Sequence, residues 1–328
     1  VPGWLPQQLD IRALSLQLPC QSAQRQLCQL QGSLQASSDS DIHRINLELQ
    51  GDGQQVQLDV DLVEQAQQLT MLNVKQLQLL LDVKALASAG WINGLPAGLV
   101  PAMIQLQLSG SWNPDELQLT LLQPLQLEFS YQGATQSTGS LQLPKGQLRL
   151  QSGQLLCPQA HWQQCQLQLD ALAEVHQLQH PLLQTSDWHW QGQAQGKLTD
   201  LKLTGTFKNP QALKLTYQAQ LTPSVLKVQW QLADLFLLAG NPLQISRLWP
   251  ELLALQRGKI SADGELHLQL PSGKQTKVKL QAKLSELYGV YDRTTFGGLT
   301  ARLLLDGDPQ SFTLQLPELA LKQVDHGF

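Results

Sequence analysis

The sequence predicts an all-β protein: an elongated, curled antiparallel sheet forming a hydrophobic groove, with a few short helices. Three observations carry this. Leucine and glutamine alternate with period two over most of the chain, as in IQLQLSGSW, PLQLEFSYQ, ELQLTLL and ELHLQL. Successive side chains of a strand point to opposite faces, so each stretch makes one apolar and one polar face, whereas a helix would spread the leucines around its circumference. Turn signals separate many stretches at short intervals: Gly51-Asp52-Gly53, Asn113-Pro114-Asp115, Pro144-Lys145-Gly146, Asn209-Pro210, Pro271-Ser272-Gly273 and Gly307-Asp308-Pro309. Such short links join antiparallel neighbours into a meander.

The strands follow one another nearly end to end. Leu14, Leu16 and Leu18 share a face, as do Ile45, Leu47 and Leu49, and Val56, Leu58, Val60 and Leu62. Next come Leu77, Leu79, Leu81 and Val83, then Ile104, Leu106 and Leu108, then Leu125, Leu127, Phe129 and Tyr131. Leu167 and Leu169 follow, then Leu213, Leu215 and Tyr217, then Leu226, Val228 and Trp230. The last are Leu266, Leu268 and Leu270, then Val278, Leu280, Ala282 and Leu284, and finally Phe312, Leu314 and Leu316. Three segments break the rhythm. Residues 240–257 open on Asn241-Pro242 and place Ile245, Leu248, Trp249, Leu252, Leu253 and Leu255 at helical spacing, with Pro250 implying a kink or two short helices. Residues 88–102 read as a small apolar helical or looped insert, and 61–72 as a third short helix. These would plug or cap a sheet without covering all of it.

Leucine is about a fifth of the 328 residues and glutamine about a sixth, while charged residues are only 15%. The polar face is therefore built mainly from neutral amides. A net charge of -4 argues against nucleic acid, whose phosphates require a basic surface. No apolar run approaches the ~20 residues of a transmembrane helix, and no signal peptide is recognisable. The chain opens on Val1 and ends on Phe328; we read it as a piece of a longer protein, so the missing anchors carry no weight.

The even rhythm, without a flexible or charged linker, favours one elongated β-groove spanning 1–328, with a further division near 137–150 suggested by a repeat. Cys20 and Cys28 stand eight apart, as do Cys157 and Cys165, and the two segments are offset by 137 residues. At that offset Gln17, Leu18, Cys20, Ala23, Gln26, Cys28, Gln29, Leu30 and Gln31 all recur, in a Leu/Gln-rich background that inflates such matches. Each pair sits where one strand turns into the next. Even numbers at local spacing suggest two disulfides in an oxidising compartment; a metal site would need closer spacing, and free buried thiols are the remaining reading.

About 18 strands at ~4.8 Å would make an open sheet roughly 85 Å long, and sheets of that size curl or split. A dry sandwich, a lipid-facing barrel and a trough with leucine inside could each hide the apolar face. The barrel fits worst, because aromatics are only 5% and do not recur at strand ends as interfacial girdles. Trp188 and Trp190, for instance, sit side by side on one face. A trough would carry an apolar strip far larger than the few hundred Å² that soluble monomers expose. Such a strip needs a ligand, and acyl chains fit it without specific contacts.

Glycine-flanked hairpins, an expected short Pro-containing helix and a Gly-x-Ile-Ser-x-x-Gly-x-Leu strand start are read in RLWPELLALQRGKISADGELHLQL, residues 247–270. With LSELYGVYDRTTFGGLTARLLLDG, residues 284–307, this region resembles the AsmA-like proteins of Gram-negative envelopes, most closely their YdbH branch, which carries a domain once labelled dicarboxylate transport. The resemblance implies a bridge-like lipid transfer protein. It implies an inner-membrane anchor, here missing at the N-terminus, a long periplasmic β-groove carrying phospholipid from inner to outer membrane, and a small outer-membrane lipoprotein extending that groove. The physics agrees: a buried CH₂ is worth about 0.8 kcal/mol in bilayer or groove alike, so transfer between them is nearly neutral, whereas crossing water is not.

The expected lining of the groove is Leu106, Leu108, Leu127, Phe129, Leu213, Leu215, Val228, Trp230, Leu266, Leu268 and Leu280. No catalytic motif is present: there is no G-x-S-x-G, P-loop, G-x-G-x-x-G or H-E-x-x-H, and we expect no enzyme, cofactor or metal. His176, His180 and His189, near Asp187, read as solvated polar-face residues, because on a strand His176 and His180 lie roughly 13 Å apart. Asp59 and Asp61 read as solvated charges, Asp234 as a carboxylate with no evident partner, and Gly297-Gly298 as a bend in a strand. The competing function is a structural or adhesive envelope β-sandwich without ligand.

Overall fold

The alternation becomes strand almost everywhere. The computed structural model describes residues 7–327 except 23–24, 52, 67, 89–97, 134–140, 159–160, 212, 238–240, 271–275 and 309–310, with side chains at 18–28, 88, 101–102 and 162 left aside. The described residues are mostly strand, paired antiparallel, with almost no helix. Eighteen strands lie among the described residues. They are β1 (Gln8–Ser22), β2 (Arg25–Asp39), β3 (Ile42–Gly51), β4 (Gln54–Gln65), β5 (Gln68–Asp82), β6 (Leu99–Trp112), β7 (Glu116–Gln132), β8 (Gln142–Pro158) and β9 (Gln166–His180). The rest are β10 (Leu183–Lys197), β11 (Asp200–Lys208), β12 (Lys214–Leu221), β13 (Val225–Phe236), β14 (Leu253–Gln269), β15 (Lys277–Tyr291), β16 (Thr294–Gly307), β17 (Phe312–Ala320) and β18 (Gln323–His326). The chain packs as two compact units, one of residues 1–134, 144–173 and 195–198, the other of 135–143, 174–194 and 199–328.

In the first unit β1 to β7 pair in sequence order as an antiparallel meander. Helix α1 (Val83–Ser88) follows β5 directly. Asp82 accepts a 3.0 Å hydrogen bond from the Ala85 N–H, satisfying one of the helix's free amides. Val83 and Leu86, one turn apart, are buried at 2% and 8% exposure. In the second unit β11 to β16 pair in order, and β16 pairs with β18 over Thr294–Gly297 and with β17 from Thr300 onward. The change of partner falls at Gly298, whose φ of +66° is left-handed and suits glycine. The expected bend is located there.

The expected helices are corrected. Asp61–Gln65 completes β4 and Gln68–Leu72 opens β5, joined as a tight hairpin with Gln65 opposite Gln68. Ala66, at φ +51°, takes the left-handed conformation that such hairpins use. The charged and amide-rich run mimics helical composition, but its neighbours' alternation decides its register. Among the described residues of 240–257 the helical structure is one 3₁₀ turn, Pro242–Ile245, capped by Asn241 and with proline at its start. Pro250 lacks the amide a helix needs and pushes its predecessor out of the helical region, and β14 begins at Leu253. Of the predicted stripe Ile245 is buried, while Leu248 and Leu252 are exposed. For 88–102, residues 89–97 lie outside the described residues and Leu99 begins β6. No described helix is long and apolar enough to cross a membrane.

The turn segment adds Leu243 to the buried cluster of the second unit, here called the plug. Leu235, Leu237, Ile260 and Leu287 form a buried cluster, with Leu213, Leu243, Leu255, Leu284 and Phe296 among those packed against it. Bulges between Leu232 and Leu235, and between Leu284 and Leu287, fall in this same region, where they bend the strands locally.

Candidate apolar binding face

Direct cross-strand partners share a face, so the registers convert alternation into rows. In the first unit one row runs Ile11, Leu34, Leu47, Leu58, Leu77, Leu108, Leu121, each opposite the next. Beside it runs Leu14, Gly32, Leu49, Val56, Leu79, Leu106. On the other face the row is Ser33, Glu48, Gln57, Gln78, Gln107, Gln123. The second unit repeats the arrangement. Leu203, Ala219, Val228, Leu266 and Val278 form one apolar row, and Gly205, Tyr217, Trp230, Gly264, Leu280, Leu305 and Leu314 another. The opposite face carries Thr204, Gln218, Gln229, Glu265, Lys279 and Asp306. A seven-strand row spans about 29 Å at ~4.8 Å per strand, roughly twice the ~15 Å hydrocarbon depth of one bilayer leaflet.

The residues predicted as lining fall into two sets. Leu106 and Leu108 lie in the rows of the first unit, and Leu127 joins them opposite Ile104, with Phe129 two residues on and opposite Pro101. Leu215, Val228, Trp230, Leu266, Leu268 and Leu280 share the apolar face of the second unit, Leu268 standing opposite Leu226. Leu213 lies just before β12 and packs against the plug cluster. All eleven are half-buried, and none enters the buried class. That class contains the plug cluster, Val83 and Leu86, and within the rows Leu49 and Ala219. The rows are thus apolar, continuous and covered only in part, with Leu49 and Ala219 buried among half-exposed neighbours.

Aromatic rings lie down on these rows. A methyl group placed on Gly264 would stand 2.6 Å from Cζ2 of Trp230, and one on Gly205 2.6 Å from the Tyr217 ring. Trp190 Nε1 donates to the Tyr217 hydroxyl at 3.0 Å, and Phe207 stacks at 5.7 Å from Tyr217 and 6.4 Å from Trp190. The sequence gives no sign of this, since the pairing of ring with glycine depends on strand register.

The polar chemistry is local. Ser38 Oγ lies 2.9 Å from His43 Nδ1, and His43 Nε2 lies 3.1 Å from Glu64 Oε2, at the far end of the first unit's leucine face. His176 faces Asp187 at 3.5 Å and His189 faces Glu174 at 3.8 Å, all partly exposed. The Asp187 carboxyl is held below its ordinary value, chiefly by the Gln177 N–H and further by His176 and His189. No cluster of three or more metal-ligating side chains occurs among the described residues. Asp234 does have a partner, contrary to expectation: Lys259 Nζ lies 2.6 Å from it, reached across β13 and β14. Asp61 pairs with Lys75 at 2.9 Å and its side chain is mostly buried rather than solvated. Cys157 and Cys165 form the expected disulfide; the side chains of Cys20 and Cys28 lie outside the described residues.

Comparison with known proteins agrees with this geometry. A family model described as YdbH-like, intermembrane phospholipid transport protein YdbH, matches residues 3–328. No curated protein and no solved structure matches.

Proposed function

The chain belongs to the YdbH-like family of intermembrane phospholipid transport proteins, and from that premise we propose that its leucine rows hold phospholipid acyl chains during passage between membranes. The observation that carries this is the half-burial of all eleven lining residues on continuous apolar rows. A chain lying on such a row removes apolar area from water at about 25 cal/mol per Å² without needing any specific contact. The opposite face, mainly amides with scattered charges such as Glu48, Glu265 and Lys279, keeps the same strands wetted. We further propose a periplasmic setting, which the Cys157–Cys165 disulfide supports. In the whole protein an N-terminal inner-membrane anchor and a small outer-membrane lipoprotein continuing the groove complete the bridge.

The test is lipid occupancy. Purified protein analysed by native mass spectrometry or solvent extraction should carry phospholipid. Leu108→Glu and Leu266→Glu should each remove most of it while the protein keeps its far-UV β spectrum and a cooperative melt, because a half-exposed site lets the carboxylate reach water. Empty wild-type protein, or global unfolding by both substitutions, would mean a dry core and would overturn the reading.

A further inference from the structure

Apolar rows hold chains but do not distinguish lipids, and the plugged end of the second unit carries groups that do. Ser186, Trp188 and Trp190 alternate along β10, and Trp190 reaches Tyr217 on the apolar face, so all three face the same way. Asn209 lies two residues beyond Phe207, a member of that face, and its N–H continues the ladder to Leu213. Trp190 and Phe207 have ring centroids 6.4 Å apart on the neighbouring strands β10 and β11, so in an antiparallel pair Trp188, two residues back, and Asn209, two residues on, lie in the same neighbourhood. The turn that carries Asn241 is tied to the start of β10, through the Leu183–Ser246 bridge and the Arg247 N–H to Leu182 bond.

Ser186 and Asn209 are each only 7% exposed. Four buried polar atoms here find no partner in the protein: Ser186 Oγ, Trp188 Nε1, Asn209 Nδ2 and Asn241 Nδ2. The amide oxygens of both asparagines are already engaged, by the Leu213 and Leu243 N–H groups. What remains is therefore donors: an indole N–H, two amide NH₂ groups and a hydroxyl. A buried donor without an acceptor is destabilising, and several at one end of an apolar face point to an acceptor-rich ligand. The donors are neutral, and a phosphate buried against them would leave its charge unpaired. Neutral carbonyl oxygens match them.

We propose that this cluster is a subsite for the ester carbonyls of a diacyl glycerolipid whose chains lie on the adjoining rows. This rests on the acyl-chain reading above. The subsite fixes the glycerol at the plugged end and selects ester-linked over ether-linked lipid.

The experiment compares a diacyl phosphatidylglycerol with its dialkyl ether analogue, which keeps chains and phosphate but lacks the carbonyls, with inorganic phosphate as a third probe. Wild-type protein should bind the ester about tenfold more tightly, the worth of one such hydrogen bond, and should not bind phosphate. Trp188→Phe and Asn209→Leu should abolish the preference while leaving ether-lipid affinity unchanged. Without lipid, the melting temperature of Trp188→Phe should hold or rise, since it removes an unpaired donor, while Asn209→Leu should melt lower, because it also removes the acceptor of the Leu213 N–H. Equal binding of both lipids by wild type, a preference that survives both variants, or competition by phosphate would overturn the subsite and leave the conduit standing. Failure of wild type to bind either lipid would overturn the conduit itself.

Discussion

The indole of Trp230 rests on the backbone of Gly264, its direct cross-strand partner. Tyr217 uses Gly205 in the same way one strand pair away. A ring that lies on a glycine adds apolar area without standing up from the sheet, so the row stays passable to an alkyl chain. Gly264→Ala should force the indole upright. The substitution meets the Lys279 carbonyl oxygen at 2.6 Å and ring atoms at 2.6 and 2.7 Å, so overpacking should cost about 1–3 kcal/mol, read as a lower urea midpoint. Trp230→Leu in the same chain should recover only the part of that loss due to the ring, because the Lys279 carbonyl stays in place. If the single substitution is silent, the ring does not depend on the glycine.

Stability and lining should separate by position. Leu287 is 3% exposed within the plug cluster, so Leu287→Ala should cost about 2–5 kcal/mol. Leu47 occupies the middle of a row and is half-buried, so Leu47→Ala should cost about 1 kcal/mol. Urea unfolding monitored at the tryptophans measures both. Equal losses would show that the rows are as well packed as the plug.

The period-two pattern made strands legible because each strand's own residues decide its two faces. Leu106–Leu108 and Val228–Trp230 were placed on an apolar face by that pattern alone, and the registers keep them there. What the pattern could not reveal depends on pairing. Ring-on-glycine contacts, the Asp234–Lys259 pair and the unpartnered donors around Trp188 all join residues distant in sequence. The helical reading of 240–257 failed for a local reason. Apolar spacing there is real, but Pro250 interrupts it, and the leucines beyond 252 belong to β14.

The Cys157–Cys165 bridge closes a short loop between β8 and β9. A nine-residue ring removes about 2.6 kcal/mol of unfolded-state entropy in the chain-entropy model. The Cys157→Ser, Cys165→Ser double variant should therefore unfold at lower urea by about that amount, yet retain lipid, because neither sulfur belongs to the leucine rows. Loss of lipid from a folded double variant would place the loop in the binding face.

Asp187 gives the clearest pH dependence. Gln177 has a φ of +54°, and its N–H, turned out of the ladder, donates to Asp187 Oδ1 at 2.8 Å. That bond first, then the nearby His176 and His189, lower the carboxyl's pKa from 3.8. A carboxyl depressed in the folded state binds fewer protons there than in the unfolded chain. Its contribution is complete above 3.8 and fades as pH falls through the lowered value. Asp187→Asn keeps an acceptor for the Gln177 N–H but removes the charge. The gap in urea midpoint between wild type and variant should therefore be constant at neutral pH and narrow below about pH 4. A gap that widens on acidification would reverse the sign and show that Asp187 is destabilised by its surroundings.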